Sequence, residues 1–310
     1  MSNTSENNTS TCANCGKVED DSIKLKTCTA CKMVKYCSRD CQIAHRSQHK
    51  NDCKRRAKEL HDEKLFKQPP PMEDCPICMV RIPSLISGRT YMACCGKVIC
   101  KGCIHAVQLR ALLAGRQEED DVCPFCRAPP PESVNEEMIK RYEKRADMND
   151  PIGIRILGDM YASGQDGLPQ NQAKALELWH RAGELGCNVA YYCIGNAYLR
   201  GNGVERDMKK TEHYWELAAM GGDPYARNNL GAIEGNLGNF GRALNHFMIA
   251  IRGGDIKSLE NIKAFYSQGL ATKDDYENAL QAYEAYVGEI KSNQRDEAAA
   301  FHHIKYYDAA

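Results

Sequence analysis

The sequence predicts a mainly α protein in which two small metal-stabilised modules are followed by an α-α helical solenoid. Sixteen cysteine and histidine side chains of the metal-ligand type lie in the first 126 residues, in two sets of eight. Each set spans only about fifty residues or fewer, too few to bury a stable apolar core unaided. Beyond residue 132 cysteines become rare, and apolar residues recur every three or four positions, as in amphipathic helices.

The composition excludes several classes of protein. The 310 residues include 41 Lys and Arg and 41 Asp and Glu, so the formal net charge is zero and strong nucleic-acid binding is not expected. No stretch reaches the roughly eighteen apolar residues of a membrane span, and the polar residues 1–11 predict a disordered leader rather than a signal peptide. We therefore expect a cytoplasmic protein, or alternatively a nuclear one, whose reduced thiols bind metal.

The first ligand set has the spacing of a double zinc site. Its members are Cys12, Cys15, Cys28, Cys31, Cys37, Cys41, His49 and Cys53. Each Cys-x2-Cys pair directs two thiolates at one metal ion, and pairs spaced four apart place both ligands on one face of a helical turn. Through Tyr36-Cys37-Ser38, Cys41-Gln42 and His49-Lys50, residues 12–53 resemble a MYND finger.

This resemblance implies that the ligand pairs interleave around two zinc ions. One ion would be held by Cys12, Cys15, Cys37 and Cys41, and the other by Cys28, Cys31, His49 and Cys53. Arg46 stands where many MYND fingers have the tryptophan that supports a groove for proline-rich peptides, so peptide binding stays open. His45 has the wrong spacing to Cys53 for a ligand of this family, and we interpret it as a surface histidine.

The second ligand set lies within residues 73–128, in the motifs CPIC, CCGKVICKGC and CPFC. Its members are Cys75, Cys78, Cys94, Cys95, Cys100, Cys103, Cys123 and Cys126. The motifs resemble a RING finger with an unusual centre. Lys97 stands at the histidine position of standard RING fingers, and a cationic lysine is a poor zinc ligand. Cys95 lies five residues before Cys100, the spacing of a rarer all-cysteine form, so we take Cys94 and Cys95 as the third and fourth ligands.

The RING resemblance implies a cross-braced pairing of these ligands. Cys75, Cys78, Cys100 and Cys103 would hold one ion, and Cys94, Cys95, Cys123 and Cys126 the other. His105 is the alternative ligand, because adjacent cysteines on one ion are geometrically awkward; otherwise it starts a helix expected over residues 104–113. The two modules together predict four zinc ions, two in each, at closed sites with no open position for chemistry.

Three residues beside the ligands extend the RING resemblance. Ile77 occupies the position at which active RING ligases present an apolar residue to the ubiquitin-conjugating enzyme, and Pro124 fits the second contact loop. Arg127 matches the arginine that contacts both that enzyme and its ubiquitin. By analogy, the module would align the ubiquitin thioester for attack by a substrate lysine without a cysteine nucleophile of its own.

Two proline-rich segments flank the second module. Residues 54–72 predict a charged helical linker that ends in a proline run, and residues 129–149 predict a proline-rich spacer and a leading helix. Semi-rigid proline spacers on both sides favour domains that are held apart.

An internal repeat occupies residues 150–287. The segments LGDMY, IGNAY, LGAIE and IKAFY begin at Leu157, Ile194, Leu230 and Ile262. A second landmark recurs in phase, seven residues before a glycine, at Trp179, Trp215 and Phe247. A period of 32–37 residues with two helices per unit indicates a helical solenoid.

The repeat landmarks and the glycine-containing loops at 164–167 and 201–203 resemble Sel1-like repeats. Within them we interpret Cys187 and Cys193 as small core residues and the two tryptophans as packing residues. Residues 288–310 predict a further helix and a tail.

The combination favours a zinc-binding RING-type E3 ubiquitin-protein ligase. Its partners would be a charged ubiquitin-conjugating enzyme, ubiquitin, and a protein substrate bound on the concave face of the repeats. The alternative is a non-enzymatic zinc-finger and Sel1-repeat scaffold or adaptor for protein complexes. A weaker third hypothesis is a nuclear co-regulator acting through the MYND finger, which Arg46 disfavours.

Overall fold

The computed structural model describes residues 10–84, 86–115, 122–131, 136–164 and 167–302. The chain forms two compact units, residues 1–67 and residues 68–310. Most of the expected leader, part of the spacer after residue 131 and the end of the C-terminal tail lie outside the described residues.

The first unit is a small zinc-finger-like fold with a long helix. Its elements are β1 (Lys26–Thr27), β2 (Lys35–Tyr36), α1 (Arg39–Ala44) and α2 (Arg46–Leu65). The strands pair antiparallel, and the buried cluster consists of three cysteines and Tyr36. The charged helix expected in the linker is the second half of α2, which starts within the finger. Because the cluster is made chiefly of metal-type ligands, this unit depends on them for its core.

The second unit begins with a hairpin and a helix. Its first elements are a short 3-10 turn (Ile86–Gly88), β3 (Arg89–Met92), β4 (Lys97–Cys100) and α3 (Lys101–Leu113). β3 and β4 are antiparallel, with Tyr91 opposite Val98. Ile82 and Ile99 are buried with three cysteines in a compact core.

A series of helices completes the second unit. They are α4 (Glu136–Asp147), α5 (Pro151–Ser163), α6 (Gln172–Glu184), α7 (Asn188–Arg200), α8 (Met208–Met220), α9 (Pro224–Asn236), α10 (Phe240–Arg252), α11 (Ile256–Ser267), α12 (Lys273–Ile290) and α13 (Asn293–His302). Helices α5 to α12 pack as four consecutive antiparallel pairs, which confirms the predicted α-α solenoid. No helix within the described part of the chain is both long enough and apolar enough to span a membrane.

The two sequence landmarks contact one another in each of the first three repeats. A Cβ added to Gly158 would lie 2.8 Å from Trp179, one on Gly195 2.5 Å from Trp215, and one on Gly231 2.6 Å from Phe247. Glycine in the first helix therefore lets the aromatic ring of the second helix approach the backbone. The aromatic residues are packing residues, and Trp179 also donates a hydrogen bond to Asp159 at 2.8 Å.

The first three pairs of helices end in the same way. Gly186, Gly222 and Gly254 have φ angles of 97°, 96° and 89°, the left-handed conformation in which glycine closes a helix without strain. Asp223 and Asp255 follow two of these glycines and cap the next helix through their carboxylates. This chemistry explains why the repeat boundaries are visible in the sequence.

The second cysteine module is not held apart from the repeats. It lies in the same compact unit as helices α4–α13, whereas the proline runs favoured a separate domain. The expectation of a separated module was wrong because both of its sides contact helices: Arg145 of α4 donates to the Ala93 carbonyl at 2.9 Å, and Arg295 of α13 donates to the Arg81 carbonyl at 2.7 Å.

Candidate metal centres

The structure brings the first eight predicted ligands into two sets. They are Cys12, Cys15, Cys37 and Cys41 in one set, and Cys28, Cys31, His49 and Cys53 in the other. The ligand atoms of each set lie within 4.8 Å of one another. The Cys15–Cys37 sulfur distance is 3.5 Å, and that between Cys28 and Cys53 is 3.8 Å. This is the interleaved arrangement that the MYND resemblance implies.

The second eight ligands also form two sets. They are Cys75, Cys78, Cys100 and Cys103, and then Cys94, Cys95, Cys123 and Cys126. Sulfur distances are 3.9 Å for Cys75–Cys103 and 3.7 Å for Cys78–Cys100. In the other set they are 3.9 Å for Cys95–Cys123 and 3.5 Å for Cys94–Cys126. The adjacent cysteines 94 and 95 both take part, in the cross-braced grouping that the RING resemblance implies.

These distances suit a tetrahedral ion. Sulfurs bound about 2.3 Å from zinc are about 3.8 Å apart at tetrahedral angles. The shortest sulfur–sulfur distances lie between 3.5 and 3.9 Å, and all ligand atoms of a set lie within 4.8 Å of one another. Donor type and spacing therefore make all four clusters compatible with zinc binding.

His105 and His45, the two other candidate histidines, lie outside the four sets. His105 is buried in α3, and its ring lies against that of Phe301 with the centroids 5.1 Å apart. His45 is half-buried rather than a simple surface residue. Its Nδ1 lies 3.1 Å from the Tyr36 hydroxyl, and its ring stacks on that of the ligand His49. His45 therefore orients the elements that carry the ligands.

The backbone at the Cys-x2-Cys pairs repeats one geometry. The residue after the second cysteine has a positive φ in four of the five pairs, at Gly16, Lys32, Met79 and Arg127, whereas the fifth pair, Cys100 and Cys103, leads into α3. In the pair at Cys123, for example, the Arg127 N–H donates to the Cys123 carbonyl at 3.0 Å. The left-handed turn lets backbone N–H groups fold back around the sulfurs. Arg127 is therefore held in a defined, sparsely populated conformation with its side chain exposed.

In the absence of a bound cation, the pKa values of the cysteine thiols are shifted in opposite directions. The backbone N–H groups of Cys15 and then Cys37 lower the pKa of Cys12 to about 6. Burial raises the pKa of Cys53 to about 11, and burial also raises that of Cys94. Several adjacent thiolates repel one another, and a bound divalent cation removes this cost.

The C-terminal helix supports the first cluster of the second module. Arg295 is fully buried and donates to the carbonyl oxygens of Val80 and Arg81, at 3.1 and 2.7 Å. Another of its N–H bonds points at the Cys78 sulfur, 3.9 Å away. Outer partners of this kind orient metal ligands. Sequence analysis missed Arg295, since nothing local distinguishes it from a surface arginine.

Helices α4 and α5 support the other cluster. Arg145 binds the Ala93 carbonyl directly before Cys94, and the Tyr91 hydroxyl donates to Asp150 at 2.6 Å. A Cβ on Gly96, whose φ is 72°, would lie 2.7 Å from an Asp150 oxygen. The adjacent cysteines are thus placed by contacts with the leading helices, which the sequence pattern did not indicate.

A groove runs along the first finger. Arg46, Lys50 and Lys54 follow at four-residue intervals on α2 and line it together with Gln42 and Ile43. Three cations therefore lie on the face where the MYND resemblance places a tryptophan-supported peptide groove.

The positions that the RING resemblance assigns to conjugating-enzyme contacts lie at or near the surface. Ile77 is 40% and Phe125 44% exposed, Arg127 is exposed, and Pro124 is half-buried. The Lys97 ammonium lies 5.8 Å from the Phe125 ring centroid. Lys97 stands at the histidine position of standard RING fingers. Its side chain lies beside the Cys123–Cys126 turn, here called the second knuckle, and the Cys75–Cys78 turn is the first.

Comparison with known families agrees with this organisation. Residues 12–53 match the MYND finger, and residues 151–187 and 189–223 match the Sel1 repeat. The chain therefore contains a MYND finger and Sel1 repeats, as the sequence analysis predicted.

Relatives resemble parts of the chain. The ERAD-associated E3 ubiquitin-protein ligase component HRD3B of Arabidopsis thaliana is 32% identical over 92 residues, which are 29% of this chain and 14% of that protein. A Sel1 repeat protein from Oxalobacter formigenes is 30% identical, with a TM-score of 0.44, covering 50% of this chain and 64% of that one. An immunity protein from Pseudomonas aeruginosa is 19% identical, with a TM-score of 0.37, covering 51% and 61%. The chain thus spans less than two thirds of each of these relatives.

Proposed function

We propose that the protein is a RING-type E3 ubiquitin ligase that holds four zinc ions, two in each module, and binds its substrate on the repeats. The second module would recruit a charged ubiquitin-conjugating enzyme. Its own role is to restrain ubiquitin so that a substrate lysine attacks the thioester in an aligned geometry. Zinc is structural in this proposal, because four protein ligands at each site leave no open position.

One observation carries the proposal. Much of the second module packs against helices of the same unit. Helix α13 lies on one side of the module, and α4 and α5 lie on another. The two knuckles that bear Ile77, Pro124 and Arg127 instead present apolar and cationic side chains to solvent. An exposed apolar residue beside a fixed arginine suits a protein partner, since interfaces combine apolar contacts with planar guanidinium hydrogen bonds.

The repeats offer a surface for the substrate. Asp159, Asn196 and Arg200 line a polar groove between the first helices of the repeats, next to Trp179. The turn at Gly221 and Gly222 is instead contacted by the chain's own proline run, because a Cβ on Gly222 would lie 3.3 Å from Pro69. We therefore assign substrate binding to the groove at Asn196 and Arg200.

The test is autoubiquitination by the zinc-loaded full chain with a panel of conjugating enzymes. Ile77→Ala and Arg127→Ala should each lower the rate at least tenfold while leaving zinc content and unfolding midpoint unchanged. Met208→Ala is the matched control, because Met208 is also 40% exposed but lies on α8. Absence of ubiquitin chains with every enzyme, from protein that carries four zinc ions, would reject the proposal.

A non-enzymatic scaffold or adaptor is the second candidate. Lys97 in place of the usual histidine favours it, and the Arabidopsis relative is named as a component of a ligase. A scaffold would bind partners through the finger and the repeats with no ubiquitin transfer. Partner capture that is insensitive to Ile77→Ala would support this candidate.

A further inference from the structure

A cleft in the second unit contains arginine N–H groups with no acceptor. It lies between the segment at Pro69 and Met72 and the turns of the repeats, and Arg81, Arg227 and Arg252 line it. Arg227 is only 1% exposed. Among the described residues, none of its three side-chain nitrogens has a hydrogen-bond partner, and neither does the Arg81 Nε. Buried guanidinium groups are normally paired with an acceptor, because an unpaired buried charge strongly destabilises the folded state.

The charges that line the cleft are of one sign. Arg227, Arg252 and Arg81 are accompanied by no acidic lining residue. Glu289, outside the lining, pairs with Arg81, so among the residues that the structure describes Arg227 and Arg252 have no carboxylate partner. Within the described part of the chain, the Arg252 side chain donates a hydrogen bond to the Gln68 amide oxygen at 3.3 Å. Burial lowers the pKa of Arg227 to about 10, and no carboxylate offsets that effect. Arg227 thus remains charged at neutral pH.

The residues that line the cleft include a hydroxyl group, and one side of the cleft is open to solvent. Ser84 is buried and lines the cleft, while its own backbone N–H donates to the Tyr286 hydroxyl at 3.0 Å. Gln68, Pro70 and Arg252 are exposed, so a small solute can enter from that side. Guanidinium forks recognise oxyanions through paired N–H donors.

We propose that this cleft binds a small free oxyanion of the phosphate class. A divalent anion matches the two unpaired charges, and its oxygens supply acceptors for Arg227 and Arg81. The bound anion would join the proline run to the turns of the repeats and strengthen the attachment of the second zinc module. This site is independent of ubiquitin transfer.

The experiment is equilibrium dialysis of the zinc-loaded full chain with labelled inorganic phosphate at constant ionic strength, together with melting curves in phosphate, sulfate, acetate and chloride. We expect one phosphate per chain and a saturable rise in Tm. Arg227→Met should weaken binding at least tenfold, whereas Arg206→Met, at an exposed arginine in another loop, should not change it. Saturation by acetate alone would assign the site to carboxylates and overturn the phosphate assignment.

A comparison between variants is needed because phosphate and sulfate stabilise proteins in general by exclusion from their surface. Equal rises in Tm for the wild type and Arg227→Met, without stoichiometric binding, would overturn the proposal and leave water as the occupant. If Arg227→Met does not fold, Arg252→Met tests the same site from its exposed rim and should weaken phosphate binding several-fold. Unchanged binding in Arg252→Met would also overturn it.

Discussion

Arg295 donates a hydrogen bond to the carbonyl oxygen of Arg81, 214 residues earlier in the chain, at 2.7 Å. The same guanidinium reaches the Val80 carbonyl and the Cys78 sulfur. One buried side chain therefore ties the last helix to a predicted zinc knuckle. The zinc module and the repeats should consequently unfold together and not as independent domains.

Replacing Arg295 tests this coupling. Arg295→Met leaves the carbonyl oxygens of Val80 and Arg81 without their donor, so we expect a loss of about 2–5 kcal/mol in the free energy of unfolding, at about 1–3 kcal/mol for each oxygen. Urea unfolding measures it, and release of zinc to a chelator should accelerate for two of the four ions. Lys291→Met is the control, because Lys291 is exposed on the turn before α13. Equal midpoints for the two variants would contradict the coupling.

The contact between α3 and α13 predicts the effect of a single methyl group. A Cβ on Gly102 would lie 2.8 Å from the Arg295 Cγ and 3.0 Å from its backbone nitrogen. Gly102→Ala should therefore lower the free energy of unfolding of the protein by about 1–3 kcal/mol through overpacking. Gly288→Ala, in α12 with nothing within 4 Å, should be neutral or stabilise by up to about 1 kcal/mol. A stabilised Gly102→Ala variant would show that α13 does not pack there.

Metal analysis can decide between the cysteine pair and the histidine alternative. Because Cys94 and Cys95 both lie in a four-sulfur set, Cys94→Ser and Cys95→Ser should each lower the zinc content from four ions to three. His105→Gln should retain four. Elemental analysis of purified protein gives the numbers. Loss of an ion in His105→Gln but not in Cys95→Ser would assign the ligand to His105.

The stability of the repeats should depend on pH through Asp223. Burial raises its pKa to about 6, although Ala226 donates a hydrogen bond to it and Arg89 lies near; Asp255 adds to the rise. A raised carboxyl pKa means that its contribution is present below the unfolded pKa and is lost as pH rises through about 6.

Asp223→Asn keeps the cap of α9 and removes the charge. Its advantage over the wild type should grow by about 1.4 kcal/mol between pH 5 and pH 8, because about one pH unit of that range lies below the folded pKa of about 6. Urea unfolding in excess zinc at the two pH values measures it. The other cap, Asp255→Asn, is a comparison for which we expect the same direction, because burial also raises its pKa. An advantage that does not change with pH would contradict the burial argument.

The two cysteine-rich modules could be predicted from the sequence, because metal binding requires particular residues at short, fixed spacings. All sixteen predicted ligands lie in four sets, including the adjacent pair at Cys94 and Cys95. The repeats could be predicted for a similar reason, because a first-helix glycine contacts a second-helix aromatic ring in three of the four units and this pair therefore recurs with the period. The RING assignment itself stays a prediction.

The packing of the second module against the helices of the repeats could not be predicted from the sequence. Proline runs on both sides favoured separation, yet Arg145 and Arg295 hold the module from α4 and α13. These arginines and the unpaired Arg227 carry no local pattern, because their partners lie far away in the chain. By itself, the sequence determined the sixteen candidate ligands and the helical period, which depend on neighbours within a few residues. Only the tertiary structure decided which surfaces of the zinc module are buried and which stay exposed, because long-range packing sets burial.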